Sequence, residues 1–237
     1  MPAYNAERTL RTAFDEVVAQ GIADFIVIVD DCSHDGTAGV ARSLTGNGGG
    51  AEVAYLRHSV NLGYGGNQKT CYRTALEHGA DIVVMVHPDC QYTPKLLVPM
   101  VSMIAEGLHP CVLASRILGG YALKGGMPLW KYVNNRWLTA VMNLLMGAKL
   151  SEYHTGYRAF SAELLRKLPL ERNSNDFSFD AQMLAEVLAS GATIGEVSCP
   201  TVYTPEASSI GFLRSCRYGM GCLGAAFRFR FARGTLK

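Results

Sequence analysis

Several shortages in the 237-residue chain each close off a class of explanation. No two of its seven cysteines (Cys32, Cys71, Cys90, Cys111, Cys199, Cys216 and Cys222) stand in a CxxC, and their number is odd. A disulfide frame and a zinc site are therefore poorly supported, and reduced thiols in a cytoplasmic setting are expected. No apolar run approaches the roughly 20 residues of a membrane span. The opening Met1-Pro2-Ala3-Tyr4-Asn5 lacks the basic and apolar regions of a signal peptide. Net charge is only +2, so nothing demands nucleic acid as a partner. No GxGxxG joins the first strand to its helix, which weighs against a dinucleotide-binding oxidoreductase. Internal repeats and linkers are also missing, and 237 residues suffice for one domain with a sizeable core.

Acid is missing in one place above all. After Glu206 there is no Asp or Glu, while Arg214, Arg217, Arg228, Arg230, Arg233 and Lys237 follow, interleaved with Phe212, Phe227, Phe229 and Phe231. Residues 210–237 thus form a basic, aromatic tail, either a packed arm or a peripheral contact with an anionic membrane face. The Phe-Arg alternation has a strand period, and Gly219, Gly221 and Gly224 weaken a helix.

What is present reads as α/β. Helical spacing over Ala6 to Gln20 precedes a β-branched strand at Phe25 to Val29, and Asp35 or Ser33 caps a second helix. A strand at Ala51 to Leu56, a helix at Asn67 to His78 and a strand at Asp81 to Val86 follow. Such β-α-β order predicts a mostly parallel twisted sheet with helices on both faces. Thr45 to Gly50 is a connector. Further on, Leu96 to Glu106 reads as a helix, Val112 to Ser115 as a strand, Gly119 to Gly126 as a glycine-rich loop, and Tyr132 to Met146 and Ala181 to Ala189 as helices. The economical division is a catalytic domain over 1–209, with a nucleotide-facing half (1–91) and an acceptor-facing half (92–209), followed by the tail.

The sharpest local feature is His87-Pro88-Asp89-Cys90-Gln91, directly after the apolar run ending at Val86. A buried strand that stops in an acid and an amide presents polar groups at the carboxyl end of the sheet, where ligands bind in open α/β folds. Asp89 and Gln91, two residues apart, share one side of an extended segment and can both face a divalent cation and the diphosphate it carries.

Taken in order, Pro2-Ala3-Tyr4-Asn5, Val29-Asp30-Asp31-Cys32-Ser33-His34-Asp35-Gly36-Thr37 and Asn61-Leu62-Gly63-Tyr64-Gly65-Gly66-Asn67 resemble the opening of family-2 glycosyltransferases of the GT-A fold. Ser115-Arg116, Asn135-Arg136 and His154-Thr155-Gly156-Tyr157-Arg158-Ala159-Phe160 are similar to the acceptor-side motifs of the branch that contains dolichol-phosphate mannose synthase and its polyprenyl-phosphate relatives. The resemblance spans Pro2 to about Ser209. It implies an inverting transfer of a sugar from a UDP- or GDP-sugar donor, with a polyprenyl or dolichyl phosphate as acceptor. It further implies a base pocket made by Pro2, Ala3, Tyr4 and either Asp30 or Asp31, with Gly63 and Gly65 letting the backbone pass close to the nucleotide. Arg116, Arg136 and Arg158 match positions that hold acceptor phosphate. Asp89, with Gln91 and His87, would hold Mg2+ or Mn2+. A lipid monophosphate, ionised at neutral pH, needs no base. For a saccharide hydroxyl a base is required, and Asp180 is the candidate, its other reading being the N-cap of the following helix.

Two departures from the family pattern stand out. Where the family carries Asp-x-Asp this chain has His87-Pro88-Asp89, one formal charge fewer; magnesium prefers oxygen, whereas manganese accepts imidazole more readily. That departure keeps a catalytically silent nucleotide-sugar binding protein open as an alternative. The chain also begins at the Pro of the first motif, so the strand that precedes that motif in the family is expected to be missing.

Overall fold

The computed structural model describes residues 1–201 and 212–232. In the first half the elements are β1 (Pro2–Ala3), α1 (Leu10–Val18), β2 (Phe25–Asp30), α2 (Thr37–Leu44), β3 (Glu52–Arg57), α3 (Gly63–Glu77) and β4 (Ile82–Met85). In the second they are α4 (Leu97–Ala105), β5 (Cys111–Ser115), α5 (Leu129–Met146), β6 (Arg158–Ser161), α6 (Ala162–Lys167), α7 (Phe179–Ala189), β7 (Ile194–Ser198) and α8 (Phe212–Ala232). Strands β1, β2 and β3 form an all-parallel sheet in that order, and a second sheet runs β4-β6-β5-β7. Within the second sheet β6 alone runs against its neighbours.

Alternation along the strands explains why helices cover both faces. In β2, Val27 and Val29 join one apolar cluster while Ile26 and Ile28 join another. In β5, Cys111 and Leu113 face the first cluster and Val112 and Ala114 the second. Side chains two apart share a face, so each buried strand feeds two cores. The first core contains Tyr72 of α3, Met142 of α5, Leu165 of α6, Met183 of α7 and Cys222 of α8; the second contains Phe14 of α1, Leu44 of α2 and Met100 of α4. The expected mostly parallel α/β architecture is the one observed.

Within the first motif Pro2–Ala3 forms a two-residue strand: it pairs with Val29 and Asp30, and the Met1 ammonium donates to the Val27 carbonyl at 2.7 Å. Elsewhere the structure departs from local expectation. Helix α3 starts at Gly63, ahead of the expected Asn67, because the carboxylate of Asp31 accepts from the N–H groups of Leu62 and Gly63 (2.8 and 2.9 Å) and stabilises the first turn. Strands β6 and β7 lie in stretches that carry no strand pattern in the sequence. Finally, the described part of the tail, residues 212–232, is helical where the alternating pattern suggests a strand. Cys222, Ala226 and Phe229 fall at helical spacing and are buried, whereas Phe227 and Phe231, four apart, are exposed and stack with ring centroids 6.3 Å apart. Gly221 lets α8 approach α7, since a Cβ there would lie 2.8 Å from Ser178. The boundary near residues 209 and 210, with Glu206, Arg233 and Lys237, lies outside the described residues.

Candidate functional site

Three chain segments meet at one edge of the second sheet. The register pairs Met85 at the end of β4 with Arg158 at the start of β6, and Arg158 in turn with Leu113 near the end of β5. A reversed strand therefore brings residues 151–157, which precede it, beside the polar turn that follows β4. Helix α3 links this edge to the first sheet: Asn67 Nδ2 donates to the carbonyls of Ala3 and Val29 at 3.4 and 3.1 Å.

Across that junction runs a chain of polar contacts centred on Tyr64. Its hydroxyl donates to Asp180 Oδ2 at 2.8 Å and lies 3.3 Å from His87 Nε2, while its ring stacks with both His87 and Phe177. Gly156 makes room, since a Cβ there would sit 2.6 Å from His87 Nε2. Burial pulls His87 below its ordinary pKa, with Asp89 and Asp180 working against that effect. Asp180 is the second residue of α7, behind Ser178 at the N-cap position, so capping is not its role. Gln68 Nε2 donates to Asp180 Oδ1 at 3.3 Å, and Arg158 Nη1 pairs with the same oxygen at 3.5 Å. Both carboxylate oxygens are thus engaged.

Asp89 sits in a tight turn, its Oδ1 accepting from the Gln91 N–H at 3.1 Å, with Cys90 left-handed at φ 53°. Asp89 is partly buried and Gln91 nearly fully so. No cluster of three His, Cys, Asp or Glu side chains able to hold a metal is found among the described residues. His87 Nε2 is turned toward Tyr64. The donor set that fits a cation here is one carboxylate with a neighbouring amide, the kind of protein-poor site that substrate phosphate oxygens complete.

At the end of β2, Asp30 and Asp31 are both buried and occupied. Asp30 accepts from Ser33 N at 2.9 Å and faces Arg57 at 3.4 Å. Asp31, besides the first turn of α3, holds His58 Nδ1 at 2.7 Å. Ala3 accepts from Asp31 N at 2.9 Å, Pro2 is buried beside it, and Tyr4 at the strand end is 49% exposed. Gly63 (φ +85°) and Gly65 admit the protein's own chain: a Cβ on them would come within 2.6 Å of the Asn175 carbonyl and 2.4 Å of the Ser174 carbonyl, respectively. The close approach they permit is to residues 174–175.

The three arginines converge, but on the loop rather than on open space. Arg116 Nε donates to Glu152 Oε1 at 2.9 Å, and its Nη2 donates to the His154 carbonyl at 2.6 Å. Arg136 Nη1 donates to the Ser151 carbonyl at 2.7 Å from an exposed position. Arg158 donates to the carbonyls of Thr155, Tyr153 and Asp180 at 2.6, 2.9 and 2.8 Å. Because Arg158 is completely buried, the expected contact with acceptor phosphate is corrected: this guanidinium clamps the floor of the site. Asn143 grips Leu150 through both backbone groups, and Asn135 donates to Glu152 at 2.9 Å. Burial works to raise the Glu152 carboxyl, yet Arg116 beside it holds it below the usual range. Burial lowers His154 to about 4; its Nδ1 lies 2.8 Å from the Tyr218 hydroxyl on α8, and its Nε2 is buried with no hydrogen-bond partner.

Sequence reasoning missed Glu152, Tyr64 and Gln68. Glu152 carries a readable signal, being the single acid between Glu106 and Glu163 in a stretch that also holds three arginines. Tyr64 and Gln68 lie one turn apart on α3, the spacing that aims both at one carboxylate.

These two mostly parallel sheets with helices on both faces are the GT-A architecture of glycosyltransferases. It superimposes on glucosyl-3-phosphoglycerate synthase from Mycobacterium tuberculosis with a TM-score of 0.69 and 21% identity, covering 97% of this chain and 78% of that one. The same synthase has been solved with Mn2+, UDP and glucosyl-3-phosphoglycerate. The family model for glycosyl transferase family 2 matches residues 1–169, and the chain belongs to that family. Among similar proteins, the UDP-N-acetylglucosamine–dolichyl-phosphate N-acetylglucosaminyltransferase of Methanococcus voltae is 29% identical, over 89% of this chain and 87% of its own. An undecaprenyl-phosphate mannosyltransferase of Micrococcus luteus is 25% identical, over 83% and 79%.

Proposed function

We propose that this chain is an inverting, divalent-cation-dependent hexosyltransferase that moves a sugar from a UDP- or GDP-sugar to a polyprenyl or dolichyl phosphate. The observation that carries the reading is the meeting of the Asp89 turn with the clamped 151–157 loop at one sheet edge. Relatives named for dolichyl- and undecaprenyl-phosphate acceptors support the acceptor class. Mn2+ bound with UDP in a structural neighbour supports the cation.

Pro2, Ala3, Tyr4, Asp30 and Asp31 would line the base pocket, with Gly63 and Gly65 shaping the turn that closes it. Asp89 and Gln91 would hold Mg2+ or Mn2+ against the donor diphosphate, with His87 beside them. When bound, the cation neutralises charge that builds on the leaving diphosphate. Arg136, exposed beside Ser151, and Arg116 would attract the acceptor phosphate. A phosphate oxygen, already ionised, attacks without a general base. That fits an Asp180 whose two oxygens already accept from Tyr64 and Gln68. Asp180 then positions Tyr64 and His87, and serves as base only if the acceptor is a hydroxyl.

Release of nucleotide from a panel of UDP- and GDP-sugars, with Mg2+ or Mn2+ and with a polyprenyl phosphate, tests the proposal. Asp89→Ala is expected to abolish transfer, and His87→Asp to retain or raise the magnesium-dependent rate. Full activity in Asp89→Ala, or nucleotide-sugar binding without cation-dependent transfer to any acceptor, would overturn it.

A further inference from the structure

Helix α5 is apolar on two opposite sides. Projected at about 100° per residue, Leu129, Trp130, Val133, Trp137 and Leu144 fall within an arc of about 100°, centred opposite the buried Leu138, Thr139, Met142 and Met146. Those five are 66, 42, 54, 61 and 82% exposed. Soluble surfaces seldom carry five large apolar side chains in one helical stripe. Charge along this part of the chain is one-sided as well. Between Glu106 and Glu152 there is no acid, yet Arg116, Lys124, Lys131, Arg136 and Lys149 are present, in a protein whose net charge is only +2. Lys131 Nζ lies 5.5 Å from the Trp130 ring, and Arg136 flanks the stripe.

We propose that this face of α5 lies flat on an anionic lipid bilayer, its tryptophans at the level of the headgroups and its basic residues on lipid phosphates. The helix is 18 residues long and does not qualify as a membrane span, so it rests on the surface. The inference rests on the lipid-phosphate reading above and deepens it. From the inner side of the same helix Asn135 holds Glu152, and from its flank Arg136 holds Ser151. The element that touches lipid is thus the one that braces the acceptor loop, which places the prenyl phosphate's headgroup level beside the site.

The chain has two tryptophans, both on this stripe, so its own fluorescence reports on the surface in question. Mixed with vesicles of phosphatidylglycerol and phosphatidylcholine, the protein should show a blue-shifted emission that brominated lipid quenches. Phosphatidylcholine vesicles alone should bind it at least tenfold more weakly. Val133→Glu/Leu144→Glu should reduce binding to the anionic vesicles by about tenfold or more. The same variant should retain transfer to a short, water-soluble prenyl phosphate in the absence of vesicles. Emission unchanged on vesicle binding would show that another face docks, and would overturn the proposal. Binding of the variant within twofold of the parent would do the same, as would a vesicle-free dimer that the variant abolishes. Tryptophan insertion with no transfer to a prenyl phosphate, whether free in solution or held in the vesicles, would instead sink the proposed function and leave this surface standing.

Discussion

Replacing Arg158 by Gln separates two roles that the same residue could hold. Its guanidinium is fully buried, donates to three main-chain carbonyls and pairs with Asp180 at 3.5 Å. Gln offers a single NH2 group, so most of those acceptors are left unsatisfied and the Asp180 charge loses its buried partner. Removing one member of such a pair costs about 3–5 kcal/mol. For a chain of this size each kcal/mol lowers Tm by about 2–4 °C, so a drop of roughly 6–20 °C is expected in circular dichroism or scanning calorimetry. Lys at this position keeps the charge but not the fork, and should recover only part of the loss. Arg136→Gln, at an exposed position, should leave Tm nearly unchanged and raise the KM for the acceptor. The reasoning is refuted if Arg158→Gln melts with the parent and shows only a raised acceptor KM, because that is the behaviour of a phosphate ligand.

Other expectations concern pH and packing. His154 is held neutral with a pKa of about 4, against 6.5 for an ordinary histidine, so the unfolded chain takes up a proton that the native state refuses. Its contribution is complete above pH 6.5 and is lost as pH falls toward 4, by at most about 3 kcal/mol; urea titrations of the parent and His154→Gln should show a gap that changes by that order across this range, and a pH-independent gap would contradict it. Gly65→Ala forces a methyl to within 2.4 Å of the Ser174 carbonyl and should cost about 1–3 kcal/mol in urea melts. Gly39→Ala, on the exposed face of α2 with open space around it, should instead stabilise by about 0.5–1 kcal/mol, and a loss there would discredit the packing argument.

The elements legible in the sequence were those whose residues commit to one period. Strands β2 and β4 lie within a residue or two of the limits read from the sequence because their Ile- and Val-rich runs start directly after Asp24 and Asp81; β3 does so because the glycine run before it marks its start. β6 escaped because it is four residues long and opens on an arginine, a residue that ordinarily marks a surface. β7 escaped because Ile-Gly-Glu-Val-Ser carries a glycine and an acid. In α8 the alternation of Phe and Arg outweighed the quieter helical stripe of Cys222, Ala226 and Phe229. At the candidate site, the polar break after an apolar run singles out Asp89, and motif order singles out Asp180 and the arginines. Which guanidinium faces outward depends on long-range contacts: Arg116 and Arg136 reach the loop from 36 and 15 residues away in sequence, and Asp180 meets Tyr64 across 116. No local pattern encodes those separations.

The single reversed strand also bears on how such a site can change. Because β6 runs backward, the loop before it and the turn after β4 reach the cleft from opposite chain directions, each anchored by its own strand. The two segments nevertheless pack on each other, Gly156 against His87 and Tyr92 edge-on to Tyr157 with ring centroids 5.8 Å apart, so a change in the length of one is felt by the other. The turn and the loop are in this sense one mechanical unit, and a chimera that takes residues 86–93 from a relative should keep its stability only when residues 151–157 come from the same relative.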